Sequence, residues 1–368
     1  MNNSSEGVNM TLASSHVCSS TTESVVITWI KIVLYLLLVV LALCGNVLVI
    51  WVVYKYRRMH TAPNYLIVNI AVSCTFHTYN VQFQVGDLLM ATVIMIPQAV
   101  SMLRDTHSWV NDGPFGQISC KLFMFSQALS IASSIFSLTV LAFERFFVVV
   151  FPLWNIITIK GTLRSIIVIW VATFALSSPL LYAAKVRLND AVAFCMEDWA
   201  PAFNPKRAQA IYTIVSFVFL YALPLLIIAV LYSVIAAKVW SRRTPGNTAL
   251  ANRRVLQEYR KNVLKMSVAV VLAFAFCWFL MHLNMLLIDF SDLFEACGIP
   301  KWLQTTGFLL GHSNSAINCC IYPIFSQGYR KGFKQSLKSL FWRHARPTPE
   351  NQDQERAPDI PLEGQVVN

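Results

Sequence analysis

Residues Gly116–Phe151, GQISCKLFMFSQALSIASSIFSLTVLAFERFFVVVF, decide what kind of molecule this chain builds. These 36 residues hold only three charged side chains, Lys121, Glu144 and Arg145. As a helix rising about 1.5 Å per residue, the run puts Cys120 and Arg145 roughly 37 Å apart. That exceeds the roughly 30 Å hydrocarbon core of a bilayer, so each end meets water on a different side. Gln127, Ser130, Ser133, Ser134 and Ser137 fall at mid-depth, where lipid would leave them unsatisfied. The helix is therefore expected to lie inside a bundle of others.

The surrounding chain agrees. Hydrophobic residues make up 56% of it and charged residues 13%, about half the charge of an ordinary soluble domain. The net charge of +11 could suggest nucleic acid as a partner, but Lys and Arg gather beside apolar runs. That pattern belongs to membrane topology, so a lipid bilayer is the expected surrounding and nucleic acid is not. Seven runs are long enough to span, at about residues 26–53, 63–100, 117–151, 163–184, 208–239, 262–289 and 301–325. Lys55, Arg57 and Arg58 follow the first, Lys160 and Arg164 the third, Arg242, Arg243, Arg253, Arg254, Arg260 and Lys261 the fifth. Arg330, Lys331, Lys334 and Lys338 follow the seventh. The alternate connections carry acids instead: Asp105, Asp112, Glu197, Asp198, Asp289, Asp292 and Glu295. Basic connections stay cytoplasmic, so the N-terminus is expected outside and the C-terminus inside. The fold class is an all-α membrane protein, a seven-transmembrane-helix bundle over residues 26–325.

Residues 1–25 form a polar outer tail without the basic start and apolar core of a cleavable leader. Asn2, Asn3 and Asn9 each open an N-x-S/T sequon, which suits glycosylation on that side. After the last span, residues 326–342 repeat aromatic and aliphatic positions along one face and Lys/Arg along the other. A short amphipathic helix on the inner leaflet is expected there, followed by a disordered tail over 343–368. Cys18, Cys120, Cys195 and Cys297 fall on the outer side, where three pairings are open. Cys120 with Cys195 is preferred, leaving Cys18 and Cys297 for a second bridge.

Several short patterns, taken in order, resemble those of rhodopsin-type (class A) G protein-coupled receptors. They are Gly45-Asn46, Asn69-Ile70-Ala71 with Asp87-Leu88-Leu89, Cys120 with Glu144-Arg145-Phe146, and Trp170 with Pro179. Then come Pro224 with Tyr232, Phe274 with Cys277-Trp278, and Asn318 with Tyr322. Three departures stand out. Cys319 replaces the proline usual after Asn318, and Pro323 follows Tyr322; Leu280 replaces the proline usual after Trp278. The third is residues 74–86, CTFHTYNVQFQVG, inside the second span. As continuous helix they would add about 20 Å and turn Asp87 by about 220° from the face of Asn69. They read as an insertion from a gene model or from splicing, with a bulge looped into the bundle as the other reading.

The resemblance implies binding and signalling rather than bond breaking. Asp87 is the one acid deep in a span, and neither G-x-S-x-G nor H-E-x-x-H occurs, so an enzyme is not expected. Inverted repeats, the mark of many transporters, are not visible either. Asp87, Ser134, Asn314, Ser315 and Asn318, beside Trp278, would hold an allosteric sodium ion, the only metal or cofactor implied; oxygen donors suit that hard cation. A protonated Asp87 bonded to Asn318 is the plainer alternative. Glu144 would restrain Arg145 until activation carried it toward Tyr232 and Tyr322, and Trp278 and Asn318 would move with that switch. A heterotrimeric G protein and arrestin are the implied inner partners. In the outer half, Gln127 stands where amine receptors carry an aspartate, which disfavours a monoamine. Gln98, His282, Phe308 and His312 complete the candidate pocket. Met196-Glu197-Asp198-Trp199, with Ile211-Tyr212-Thr213, resembles a segment of neuropeptide FF and other RFamide receptors; His282 resembles tachykinin-like ones. Glu197 and Asp198 would take a peptide arginine through bidentate contacts. The expected function is a receptor for an extracellular, amidated, RFamide-like neuropeptide. A class A receptor for a lipid or other non-amine small molecule is the alternative, as is an isoform whose signalling is impaired by residues 74–86.

Overall fold

In the computed structural model, the residues described are 24–55, 87–103, 108–109, 111–151, 159–189, 192–241, 250–291, 300–325 and 327–341. Residues 74–86, Cys18, Cys297, the sequons at Asn2, Asn3 and Asn9, and the tail 343–368 lie outside them.

Helices stand at all seven expected places. They are α1 (Val25–Lys55), α2 (Asp87–Leu103), α3 (Pro114–Val150), and α4 (Ile159–Ser177, continued by Pro179–Ala183). The fifth, α5, runs through Pro205–Phe217, Val218–Ala222 and Leu223–Ser241. Then come α6 (Leu250–Phe290) and α7 (Lys301–Phe325), with the amphipathic α8 (Gln327–Phe341) after them. Among the described residues five helices are long and apolar enough to cross a membrane. The second is described only from Asp87, and α7 is diluted by His312, Ser313, Asn314, Ser315 and Asn318. Large apolar side chains point outward along the shafts, among them Val40, Leu226 and Phe276, the last 69% exposed. An outer surface of this kind suits lipid, while Tyr35, Phe274, Trp278 and Tyr322 fill the interior.

Two prolines explain two irregular turns. Pro97 and Pro224 lack the N–H that would bond four residues back. Just before each, the helix widens to a π turn, over Met90–Met95 in α2 and Val218–Ala222 in α5. The α6 helix begins 12 residues before its apolar run, at Leu250 rather than 262. Residues 250–261 are Leu, Ala, Arg, Gln, Glu and Lys for the most part, good helix formers that carry the helix into the inner loop.

One small sheet joins the helices. Strands β1 (Ala184–Asn189) and β2 (Val192–Glu197) pair antiparallel, with Val186 opposite Cys195 and Ala184 opposite Glu197. The side-chain amide of Gln117 donates to Val186 O and accepts from Val186 N, both at 3.1 Å, in the manner of a neighbouring strand. Trp109 N donates to Ala193 O at 2.6 Å. The Cys120–Cys195 bond closes a separation of 75 residues at a Cα–Cα distance of 5.6 Å, which settles that pairing. The hairpin is thus tied to the start of α3 by Gln117 and the disulfide, and to the stretch before that helix by Trp109.

Candidate functional site

At mid-depth, Asp87 starts the described part of α2 and is 1% exposed. Ser315 Oγ donates to its Oδ1 at 2.8 Å and Asn318 Nδ2 reaches its Oδ2 at 3.4 Å. Ser134, Asn314 and Trp278 are buried as well, and the Oδ1 atoms of Asn314 and Asn318 have no partner among the described residues. Of these, Ser315 and Asn318 touch the Asp87 carboxylate directly, and oxygen donors of this kind are the type a hard monovalent cation takes. Asn46 on α1 braces this region by donating to Ser315 O at 3.1 Å.

Toward the end of α3 away from Cys120, Arg145 is half-buried, within electrostatic reach of the buried Tyr232 on α5. Tyr322 is buried on α7. The side chain of Glu144 lies outside the described residues, so its hold on Arg145 does too.

The outer half is where the two neighbouring acids part company. Asp198 is bound on several sides: Arg187 Nε donates to its Oδ2 at 2.8 Å and Arg187 Nη2 adds a second contact. Ala200 N donates to Oδ1 at 2.9 Å, and Lys185 lies 4.0 Å away. Hydrogen bonds from Arg187 and Ala200 hold the Asp198 carboxyl below the usual carboxylate range. Among the described residues, Glu197 accepts from the indole N–H of Trp199 alone, at 3.4 Å. Burial pushes its pKa up to about 7; the hydrogen bond from that indole opposes it, and the charge of Asp289 adds a smaller push upward. Asp289, at the outer end of α6, accepts from Gln209 Nε2 of α5 at 2.9 Å. Tyr212 of α5 lies near Glu197 electrostatically, and its ring is 5.5 Å from Trp199. Glu197, half-buried, thus stands beside Trp199 and within electrostatic reach of Tyr212 and Asp289. The sequence reading singles out Glu197 and Asp198 as the pair. In the structure the charge of Asp289 reaches Glu197 as well, which no local pattern marks.

The deeper candidates do not form one hydrogen-bonded set. Gln127 is half-buried and extends its Nε2 toward Met281 Sδ at 3.9 Å. His282 is buried on α6, its ring 4.8 Å from Tyr221 and 6.0 Å from Phe217 on α5. Gln98 is half-buried on α2. His312 is fully buried and bonded to Tyr35 on α1, with Phe308 leaning on its ring at 5.8 Å.

Comparison with known proteins agrees with this arrangement. The family model described as 7 transmembrane receptor (rhodopsin family) matches residues 45–322. The substance-K receptor of Homo sapiens is 31% identical over 319 residues, covering 86% of this chain and 74% of that protein. Neuropeptide FF receptor 2 of Mus musculus is 30% identical over 322 residues, 83% of this chain and 71% of the other. The substance-P receptor of Aquarana catesbeiana is 28% identical over 307 residues, covering 83% and 70%. With most of its length matched by the family model and its spans in that order, the chain belongs to the rhodopsin family of seven-transmembrane receptors, as a multi-pass membrane protein.

Proposed function

We propose that the chain is a plasma-membrane receptor for an extracellular amidated neuropeptide with an arginine near its end. Ligand binding would activate a heterotrimeric G protein at the inner face, with arrestin as a further partner there. The observation that carries this reading is Glu197 beside the hairpin disulfide, a half-buried carboxylate held among the described residues by one long indole contact and so left to take a guanidinium. The similarity to receptors named for substance K, substance P and neuropeptide FF supports a peptide over a lipid. An N-terminus outside and a C-terminus inside, in a lipid bilayer, follow from the basic inner connections. Gln127, Gln98, His282 and Phe308 would line the path below the mouth. Asp87, Ser134, Asn314, Ser315 and Asn318 would hold sodium in the resting state; the ion's charge would offset that of Asp87. Glu144, Arg145, Tyr232, Trp278, Asn318 and Tyr322 would carry the change inward.

The acid–base state of Glu197 supplies the test. Its folded pKa is raised, so the protonated form is favoured in the fold. That contribution to stability is full below the ordinary carboxylate value of 4.5 and lost as pH rises toward about 7. A cationic ligand reverses the preference, because it binds the ionised carboxylate. Affinity for an Arg-Phe-amide peptide is therefore expected to rise about tenfold from pH 6 to pH 8. Equilibrium binding on membranes checks this, and Glu197→Gln should flatten the dependence. A pH-independent affinity in the unsubstituted receptor contradicts the assignment.

A further inference from the structure

We propose that Tyr35 is a positioning residue of the ligand site, acting through His312 alone; the proposal rests on the peptide-receptor reading above. Tyr35 belongs to α1 and His312 to α7, 277 residues apart, and neither has any exposed surface. The Tyr35 hydroxyl lies 2.5 Å from His312 Nδ1, with the rings edge-on at 5.8 Å. With the phenol donating to Nδ1, the imidazole carries its proton on Nε2. That nitrogen has no partner among the described residues. The bond to Tyr35 is thus the polar contact that sets the ring's position.

What the ring supports is part of the pocket. Phe308, one turn outward on the same face of α7, leans on His312 at 5.8 Å and 35°. Phe308, His312, Ser315 and Cys319 follow one another at helical spacing along a single stripe. The first span grips that stripe at its inner end too. Asn46 donates to Ser315 O, the Cys319 thiol lies 3.7 Å from Leu41 O, and a Cβ on Gly45 would come within 2.1 Å of Cys319 Sγ. The inner grip is close packing and backbone, while the outer grip is one pair of side chains. His312, which the family resemblance suggests as a ligand contact, is fully buried, and on this proposal it acts from behind Phe308. Its effect on the ligand passes through Phe308.

The test uses the full chain in membranes, with an Arg-Phe-amide peptide as the probe and Kd measured on receptor that has reached the surface. Tyr35→Phe strands Nδ1 without a donor, and His312→Phe strands the phenol; each is expected to weaken binding about tenfold. Tyr35→Phe/His312→Phe removes both partners and keeps two rings, a change that is near neutral when a polar pair is replaced together. The double variant should therefore return to within about threefold of the parent Kd. Thermal unfolding of the solubilised receptor should follow the same order, with both single variants below the parent and the double variant. If His312 touches the ligand directly, the double variant stays as weak as His312→Phe, and the proposal is overturned. Binding unaffected by Tyr35→Phe overturns it equally. A parent receptor that binds no peptide refutes the peptide reading. The order of unfolding then still decides whether Tyr35 and His312 act as a pair.

Discussion

Alanine at Cys195 is expected to abolish peptide binding at the cell surface. The bond to Cys120 closes a separation of 75 residues, and by chain entropy a loop of that length contributes about 4 kcal/mol. That is a large part of the roughly 5–15 kcal/mol by which folded domains exceed their unfolded chains. The geometric consequence is sharper still, because Glu197 is two residues from Cys195 on the same strand. Without the bond, the hairpin is held by the Gln117–Val186 pair to α3 and by Trp109 N on Ala193 O to the stretch before it. Those contacts position the strand but leave the acid at the mouth free to drift. Saturation binding with a labelled amidated peptide, beside antibody counting of surface receptor, separates the two effects. Mild reduction of the unsubstituted receptor should reproduce the loss. Binding that survives in Cys195→Ala would show that the hairpin's other anchors suffice.

Charge reversal at Glu197 carries the second large effect. Losing a charged hydrogen bond costs about 1.5–3 kcal/mol, and a lysine there adds repulsion against the ligand cation. An Arg-Phe-amide peptide should bind Glu197→Lys at least roughly a hundredfold more weakly. A peptide with citrulline in place of arginine should bind the parent weakly and be indifferent to the substitution. Asp289→Asn should weaken the arginine peptide as well, by about tenfold, since its charge lies within electrostatic reach of Glu197 and would add to the pull on the ligand cation. Asp198→Asn should behave differently, because Asp198 already holds Arg187 and Ala200 N. Its loss should fall on receptor folding and surface level, and discriminate little between the two peptides. Equal losses for both peptides in Glu197→Lys would remove the arginine from the account.

Much of the architecture can be read from the chain because membrane spans announce themselves locally. The run around Gly116–Phe151 and its basic inner flank need no tertiary information, and neither does the spacing of Pro224 with Tyr232. Even so, Pro97 and Pro224 announce only a missing donor; that each helix answers with a wider turn is a matter of packing. The site is legible to a lesser depth. Glu197 and Asp198 look alike in sequence, yet the partner that occupies one of them comes from the opposite strand, at Arg187. Asp289 meets Gln209 across 80 residues, and Tyr35 meets His312 across 277. Pairs so distant leave no period or motif behind, and only the folded bundle brings them into contact.

The central claim, a peptide-activated receptor, is tested most directly by second-messenger recording in cells expressing the chain with and without residues 74–86, set against mock-transfected cells. The account predicts a saturable response to an Arg-Phe-amide peptide in the form lacking 74–86, with the citrulline analogue inactive at the same concentrations. Two forms present at the surface and silent to every amidated peptide, or a response equal to that of mock cells, would contradict it.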